Sequence, residues 1–473
     1  MGRYSYLLKN VGLLALSSFA TKLLTFFMVP LYTSVLTTGE YGTFDLFSTT
    51  VSVLLPLFTL NIQEGVLRYA LDKKFNRDAV VTIGVRWTLL GSVLVGVGTF
   101  FFFGLGVFDV PRRFAVYFFF MFVTQALCCL VPYYVRGIDR IADLSVAGVI
   151  SSVVTIGLNL FFLLSLNWGL DGYFLANIIG PLTQVIYLLI RTGMLRHYRP
   201  FALFPEQNRV LILYSVPLIA NSIAWWISSV SDRYIVVFFC GVAVNGVYSV
   251  ASKIPSILSV FQGIFSQAWT LSAVKDYDRE DRDGFFATTY EAYNCALTLI
   301  CSSIILLDKI LARFLYANDF YEAWQYVPWL TIAVAFGALS NYLGGFFTAV
   351  KDTKMFAQSS VAGAVTNLVL NFVLVPFIGP MGAAISTTIC YVEVWAIRFW
   401  HSRKYIKLRI PLKRDIATYI FLVVQSILIN AIADQKIMYF MVTVVFIVIC
   451  FLYRGELIRI ARKAISKPNV IQE

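Results

Sequence analysis

The stretch TNLVLNFVLVPFIGPMGAAISTT, residues 366–388, is apolar enough to cross a membrane, yet it carries Asn367 and Asn371 one helical turn apart. Gly379, Gly382 and the pair Thr387–Thr388 follow. An amide in hydrocarbon costs free energy unless another group satisfies it. These side chains therefore either join neighbouring helices or hold something that passes between them. The Gly and Pro of FIGPMG supply a chain reversal, so the stretch reads as parts of two antiparallel spans.

The rest of the chain has the same character. Of its 473 residues 59% are hydrophobic and 14% charged, with a mean hydropathy of +0.76. Soluble domains carry roughly 25% charged residues, so no aqueous surface could be built from this composition. Hydrophobic runs bounded by charges and Gly/Pro give fourteen helices, near 11–33, 43–66, 83–105, 114–134, 145–166, 171–190, 211–239, 247–271, 287–307, 325–350, 357–377, 380–400, 416–433 and 437–453. The expected fold is an all-α integral membrane protein. The first run is followed by no small-residue cleavage site and reads as a retained helix.

The formal charge of +12 does not indicate a nucleic-acid partner, because the basic residues lie in short loops rather than in a patterned basic domain. They set the orientation instead. With both termini cytoplasmic, inside loops and tails hold 29 of the 38 Lys and Arg, outside loops hold 5 and spans hold 4, a strong positive-inside bias. The longest outside loop, DKILARFLYANDFYEAW (308–324), reads as an interfacial helix. The tail RGELIRIARKAISK reads as a basic amphipathic helix on the anionic inner leaflet.

An internal repeat organises the spans. SVAG at 145–148 recurs at 360–363; GLNLFF and VLNFVL follow; and each copy leads to a G-x-x-G turn, at Gly169/Gly172 and Gly379/Gly382. EYGTFDL after the first span has a weaker echo in VNGVYSV after the seventh. The expectation is two parallel six-helix lobes, 1–190 and 211–400, joined by a cytoplasmic loop at 191–210. A basic loop at 401–415, two further helices over 416–453 and a basic tail at 454–473 complete the chain. Repeats of this kind are typical of secondary transporters with a substrate site between the halves.

The segments TKLLTFFMVPLYTSVLTTGEYGTFDL and SVSDRYIVVFFCGVAVNGVYSVASKI, with the opening stretch, resemble the polysaccharide-flippase branch of the multidrug/oligosaccharidyl-lipid/polysaccharide exporter superfamily. The resemblance covers nearly the whole chain. It implies a protein of the cytoplasmic (inner) membrane that moves undecaprenyl-pyrophosphate oligosaccharides, such as O-antigen or other lipopolysaccharide units, from the inner to the outer leaflet. Polyprenyl-pyrophosphate glycan, membrane lipid and the polysaccharide polymerase and ligase are the implied partners; no cofactor is implied.

Lys22 lies mid-span in the first helix, and Lys253 lies in the eighth. A lysine at such depth must snorkel, pair or face water. In opposing lobes the two could meet a pyrophosphate as point charges. The lipid II flippases that the chain resembles use cations in spans one, two and eight; here span two has only Arg68, at its inner end. Glu64, Glu291 and Glu393 are the other intramembrane carboxylates, read as paired or solvated groups or as proton carriers. Arg86, three residues into the third span, reads as snorkelling to the inner surface.

Asp232, Asn371 and Thr387 come out at similar depths in spans seven, eleven and twelve, with Asn367 one turn from Asn371. Their oxygens suit a hard monovalent cation. The resemblance implies a sodium site built from these spans, with Na+ or H+ as candidate coupling ion and with Asn371 at a position that can be acidic. The other reading is that the four hold helices together, with Arg233 as partner to Asp232.

The two histidines, His197 and His401, lie in basic loops, and no HExxH, Walker A or dinucleotide motif appears. The seven cysteines form no CxxC pair, which argues against a metal or disulfide framework. Neither observation favours an enzyme. The competing transport reading is a multidrug/cation antiporter of the same superfamily; a non-transporting scaffold for polysaccharide assembly is the third.

Overall fold

The computed structural model describes residues 26–72, 75–105, 111–275, 278–350 and 352–465. The chain divides into two compact units, Met1–Val230 and Ser231–Glu473. All regular structure among the described residues is helical.

In the first unit a short helix α1 (Val29–Val35) precedes α2 (Thr38–Phe58) and α3 (Ile62–Ala70). A capping box starts α2: the Thr37 hydroxyl accepts from the Glu40 N–H at 3.2 Å, and Glu40 accepts from the Thr37 N–H at 2.8 Å. The pair α2–α3 is bent by 62°, with Leu60 and Asn61 both at φ +52. A break in hydrocarbon frees backbone groups that must find partners. Here the Thr59 hydroxyl donates to the Leu55 carbonyl at 2.7 Å, and the Gly65 N–H donates to Ser215 Oγ at 3.2 Å. Ser215 belongs to α8 (Pro205–Cys240), as does Ser222, which accepts from Asn61 Nδ2 at 3.3 Å. The intervening helices are α4 (Arg77–Gly104), α5 (Arg113–Gly137), α6 (Ile141–Leu160, extended by a π-turn over Phe161–Ser165) and α7 (Gly169–Thr192).

The second unit continues with α9 (Val242–Ala251), α10 (Ser256–Lys275), α11 (Phe285–Leu315), α12 (Val327–Ala349), α13 (Thr353–Ile378) and α14 (Pro380–Ser402). Then follow α15 (Leu412–Ala431), α16 (Gln435–Leu452) and α17 (Arg454–Ile465). Helix α12 is central, buried along nearly its whole length and packed by α10, α11 and α14. Trp269 stacks on Tyr342 with ring centres 3.8 Å apart and donates to its carbonyl at 2.9 Å. The Tyr342 hydroxyl in turn donates to the Phe286 carbonyl at 2.7 Å.

The two G-x-x-G turns are one device used twice. Gly169 (φ +50) and Gly379 (φ +60) both take a positive φ, which glycine adopts freely. The second glycine allows close approach: a Cβ on Gly172 would lie 2.7 Å from Phe162 Cβ, and one on Gly382 would lie 2.7 Å from the Leu374 carbonyl carbon. Each turn folds its helices back on each other, α6 with α7 and α13 with α14.

Ten described helices are long and apolar enough to cross a membrane, or eleven if α2–α3 is one bent span. Most of the first expected span, 11–25, lies outside the described residues. The eighth is divided into α9 and α10, and the thirteenth, α15, opens on Lys413, Arg414 and Asp415. Val97 is 67% exposed and Phe377 84% exposed, while Asn367 and Asn371 are buried. Apolar residues outside and amides inside mark lipid as the solvent: this is a multi-pass membrane protein.

One expectation is corrected. The segment 308–324 is not a single interfacial helix. Helix α11 runs through Asp308 to Leu315, and only Asn318–Gln325 forms a separate 3-10 turn. The physical reason is burial: Asp308, Ala312 and Leu315 continue the packed face of α11.

Candidate functional site

The amides of the opening stretch lie in a line of polar groups within the second unit. Asn371 Nδ2 donates to the Asn367 carbonyl at 2.8 Å and to Asn367 Oδ1 at 3.1 Å. Asn367 Nδ2 donates across to Thr387 Oγ1 on α14 at 3.3 Å. The Thr387 side chain lies within electrostatic reach of the Tyr248 hydroxyl of α9, and that hydroxyl donates to Asp232 Oδ2 at 2.6 Å. Asp232 Oδ1 accepts the backbone N–H of Arg233 at 2.9 Å.

Direction follows from chemistry. The single Tyr248 proton goes to Asp232, so toward Thr387 the Tyr248 oxygen is an acceptor, and Thr387 accepts from Asn367. Each of these donated side-chain protons points toward the carboxylate, an arrangement in which the bonds polarise one another. At the far end Asn371 is fully buried, and its Oδ1 has no hydrogen-bond partner among the described residues. The structure thus brings together Asp232, Asn367, Asn371 and Thr387. It adds Tyr248, which lies in the VNGVYSV echo of the repeat. A tyrosine in an apolar run reads as packing until its hydroxyl is seen to bridge two spans.

Lys22 lies outside the described residues. Lys253 falls in the interruption Ser252–Pro255 between α9 and α10, half-buried. Pro255 cannot donate a backbone bond, and Ser256 Oγ caps the Lys253 carbonyl at 2.5 Å. The lysine therefore sits at a break in its span rather than on a continuous helix.

The other carboxylates are dispersed. Glu64, one turn past the α2–α3 bend, lies within electrostatic reach of the Tyr133 hydroxyl. Glu291 pairs with Arg459 of α17 at 3.7 Å. Glu393 keeps a buried Oε2 with no partner among the described residues. Arg86 does more than snorkel: its guanidinium donates to the carbonyls of Pro200 and Ala202 at 2.8 and 2.7 Å, tying down the segment before α8. Among the described residues no three His, Cys, Asp or Glu side chains could share a metal ion.

A sequence profile described as polysaccharide biosynthesis protein matches residues 7–270. No curated protein matches the chain significantly by sequence. The fold is similar to that of a lipid II flippase, MurJ, in an inward closed conformation, with TM-score 0.67, 12% identity, and coverage of 93% of this chain and 99% of that one. It is also similar to an inward-facing multidrug resistance MATE family transporter of the MOP superfamily, with TM-score 0.65, 12% identity, and coverage of 85% and 98%. A third solved structure, a MOP superfamily transporter from Pyrococcus furiosus, gives TM-score 0.56 at 12% identity, covering 83% and 95%. At these identities the structures speak for the fold; the profile, which spans more than half of the chain, speaks for the family. With an all-helical membrane fold and a family match over residues 7–270, the chain belongs to the polysaccharide biosynthesis protein family.

Proposed function

We propose that this protein flips a polyprenyl-pyrophosphate-linked oligosaccharide from the inner to the outer leaflet of the cytoplasmic membrane by alternating access, drawing on a monovalent cation bound at the Asp232 chain. The observation that carries the reading is the polarised chain from Asn371 to Asp232. It ends at one side in a carboxylate and at the other in a buried amide oxygen that has no hydrogen-bond partner among the described residues.

The donor set suits the ion. Carboxylate, amide and hydroxyl oxygens are hard ligands. Because the protons already point toward Asp232, the Asn371 oxygen is left to accept. Only Asp232 among the four is a base, so a metal cation uses the set better than a proton does. Neutralising Asp232 would remove the charge that orders the chain across α8, α9, α13 and α14, and so couples ion binding to the packing of these helices.

The substrate end rests on the basic residues. Lys253, at a helix break, offers an ammonium to a phosphate, and Lys22 is its proposed counterpart. The inner-membrane location, cytoplasmic termini, lobes at 1–190 and 211–400, and work alongside a polymerase and ligase belong to the same proposal.

The test is mass spectrometry of polyprenyl-linked sugars extracted from cells lacking the gene. Accumulated lipid-linked glycan and loss of its surface polymer are expected. An unchanged lipid pool with new sensitivity to cationic drugs would replace this reading with the antiporter.

A further inference from the structure

Helix α11 holds a buried carboxyl that the Asp232 chain does not use. Asp308 is 0% exposed, and neither of its oxygens has a hydrogen-bond partner among the described residues. It lies on the buried face of α11 with Ser302, Ile305 and Ala312. At the Ser302 level this face is locked to the two helices that follow α14. Ser302 Oγ donates to Gln425 Oε1 of α15 at 2.7 Å, and Gln425 Nε2 donates to the Val442 carbonyl of α16 at 3.5 Å. Two turns further toward Leu315 the lock is replaced by Asp308. One turn along from Gln425 and Val442 respectively, α15 and α16 bring up Ile429 and Met438, both fully buried.

Few groups there could balance a charge. The neighbouring Lys309 has its ammonium 4.1 Å from the centre of the Trp324 ring, a cation–π contact. Tyr439 of α16 lies within electrostatic reach of Asp308, of Arg313 on the next turn of α11 and of Tyr321 on the 3-10 turn. Helix α15 beyond Tyr419 and α12 before Tyr342 carry no titratable residue. A hard cation would need several further oxygens, and none is bonded to this carboxyl among the described residues. A bare carboxylate in such a place is the costliest alternative.

We propose that Asp308 is a proton-binding site: a neutral carboxylic acid that closes the packing of α15 and α16 on α11, and whose ionisation loosens that packing. Arg313, exposed toward the same end of α11, lies five residues on, about 7.5 Å along the helix, so the proton exchanges with solvent at that end. The inference is independent of which lipid is carried and of the Asp232 site.

Infrared difference spectroscopy of the purified full chain in lipid nanodiscs, wild type against Asp308→Asn at neutral pH, tests it. The wild type should show the carbonyl stretch of a protonated carboxyl, and Asp308→Asn should lose that band. The two should melt alike in acid. As pH rises, the folding equilibrium of the wild type should fall more steeply than that of the variant, by up to tenfold per pH unit for one linked proton. A carboxylate band in place of the carbonyl band, or parallel pH profiles, overturns the proposal. If Asp308→Asn does not fold, Asp308→Glu should shift the same band, and an unmoved band overturns it equally.

Discussion

Asn159 in the first unit and Asn371 in the second come from matching halves of the repeat and begin with the same local geometry. Each is fully buried, and each donates Nδ2 to the carbonyl four residues earlier at 2.8 Å. Each is left with an Oδ1 that has no hydrogen-bond partner among the described residues. They differ in what stands one turn away. For Asn371 it is Asn367, whose amide opens the chain to Thr387, Tyr248 and Asp232. For Asn159 it is Thr155, whose hydroxyl bonds the Ser151 carbonyl of its own helix at 2.7 Å. A Cβ on Gly180 would lie 1.9 Å from that hydroxyl, so α7 closes tightly over it. The amide stands at both places in the repeat, and the neighbours decide whether it joins a network or is sealed by packing.

The sharpest way to break this comparison is to open the seal. Gly180→Ala forces its Cβ onto both the side chain and the backbone of Thr155. It should cost about 1–3 kcal/mol, the range for overpacking a tight contact. Gly98→Ala, where nothing lies within 4 Å, should be neutral or stabilise by up to ~1 kcal/mol through helix propensity. Thermal melting of the two variants measures the contrast, and equal melting points would mean that the α6–α7 contact is not tight.

The next test concerns the amides themselves. If only the second unit binds a cation, Asn371→Ala should weaken Na+ binding about tenfold, or ~1.4 kcal/mol. Asn159→Ala should leave it within about twofold, well under 1 kcal/mol. The Na+-dependent shift in melting temperature reports both. Equal losses would show that the Asp232 network adds nothing to a buried amide.

The smallest expected effect lies where the two hairpins begin. Asp352 caps α13, accepting the Met355 N–H at 3.1 Å and the Tyr405 hydroxyl at 2.5 Å. At the start of α6, Arg140 makes no side-chain cap bond. The Tyr405 hydroxyl first, then the Met355 amide, hold the Asp352 carboxyl below its ordinary range. Its contribution is therefore complete above pH ~4 and is lost as pH falls through the lowered folded value. The exchange protection of the Met355 amide, relative to its intrinsic rate at each pH, should fall in acid; Asp352→Asn should flatten that dependence, and the start of α6 should lack it. Acid loss of protection retained in Asp352→Asn would assign the effect elsewhere.

The polar ends of the hairpins extend the contrast. In the first unit Arg191 pairs with Asp143 at 3.3 Å, partly in the open. In the second, Arg398 is 3% exposed and bonds Ser359 Oγ, Ser360 Oγ and the Ser340 carbonyl at 3.0, 2.8 and 3.0 Å. Phe356 lies 4.1 Å away across its face. The repeated Ser360 of SVAG is thus part of an arginine cradle, whereas its match, Ser145, bonds the carbonyl of its own helix at Ile141. A buried guanidinium needs such acceptors; an exposed one does not.

Linear spacing sufficed for the membrane class, the helical fold, the two G-x-x-G reversals and the expectation that Asp232, Asn367, Asn371 and Thr387 lie at similar depths. Each of these depends on spacing along one chain: apolar runs measure membrane thickness, and a four-residue interval fixes a helix face. Only the tertiary structure decided the bend at Leu60–Asn61, the break at Lys253, the place of Tyr248 in the network and the burial of Asp308. Asp308 shows why. Its DKILAR context ends a hydropathy run and so reads as a loop, whereas burial depends on which helices pack against it. Periodicity says which way a side chain faces on its own helix; what it meets there is set by residues a hundred or more positions away.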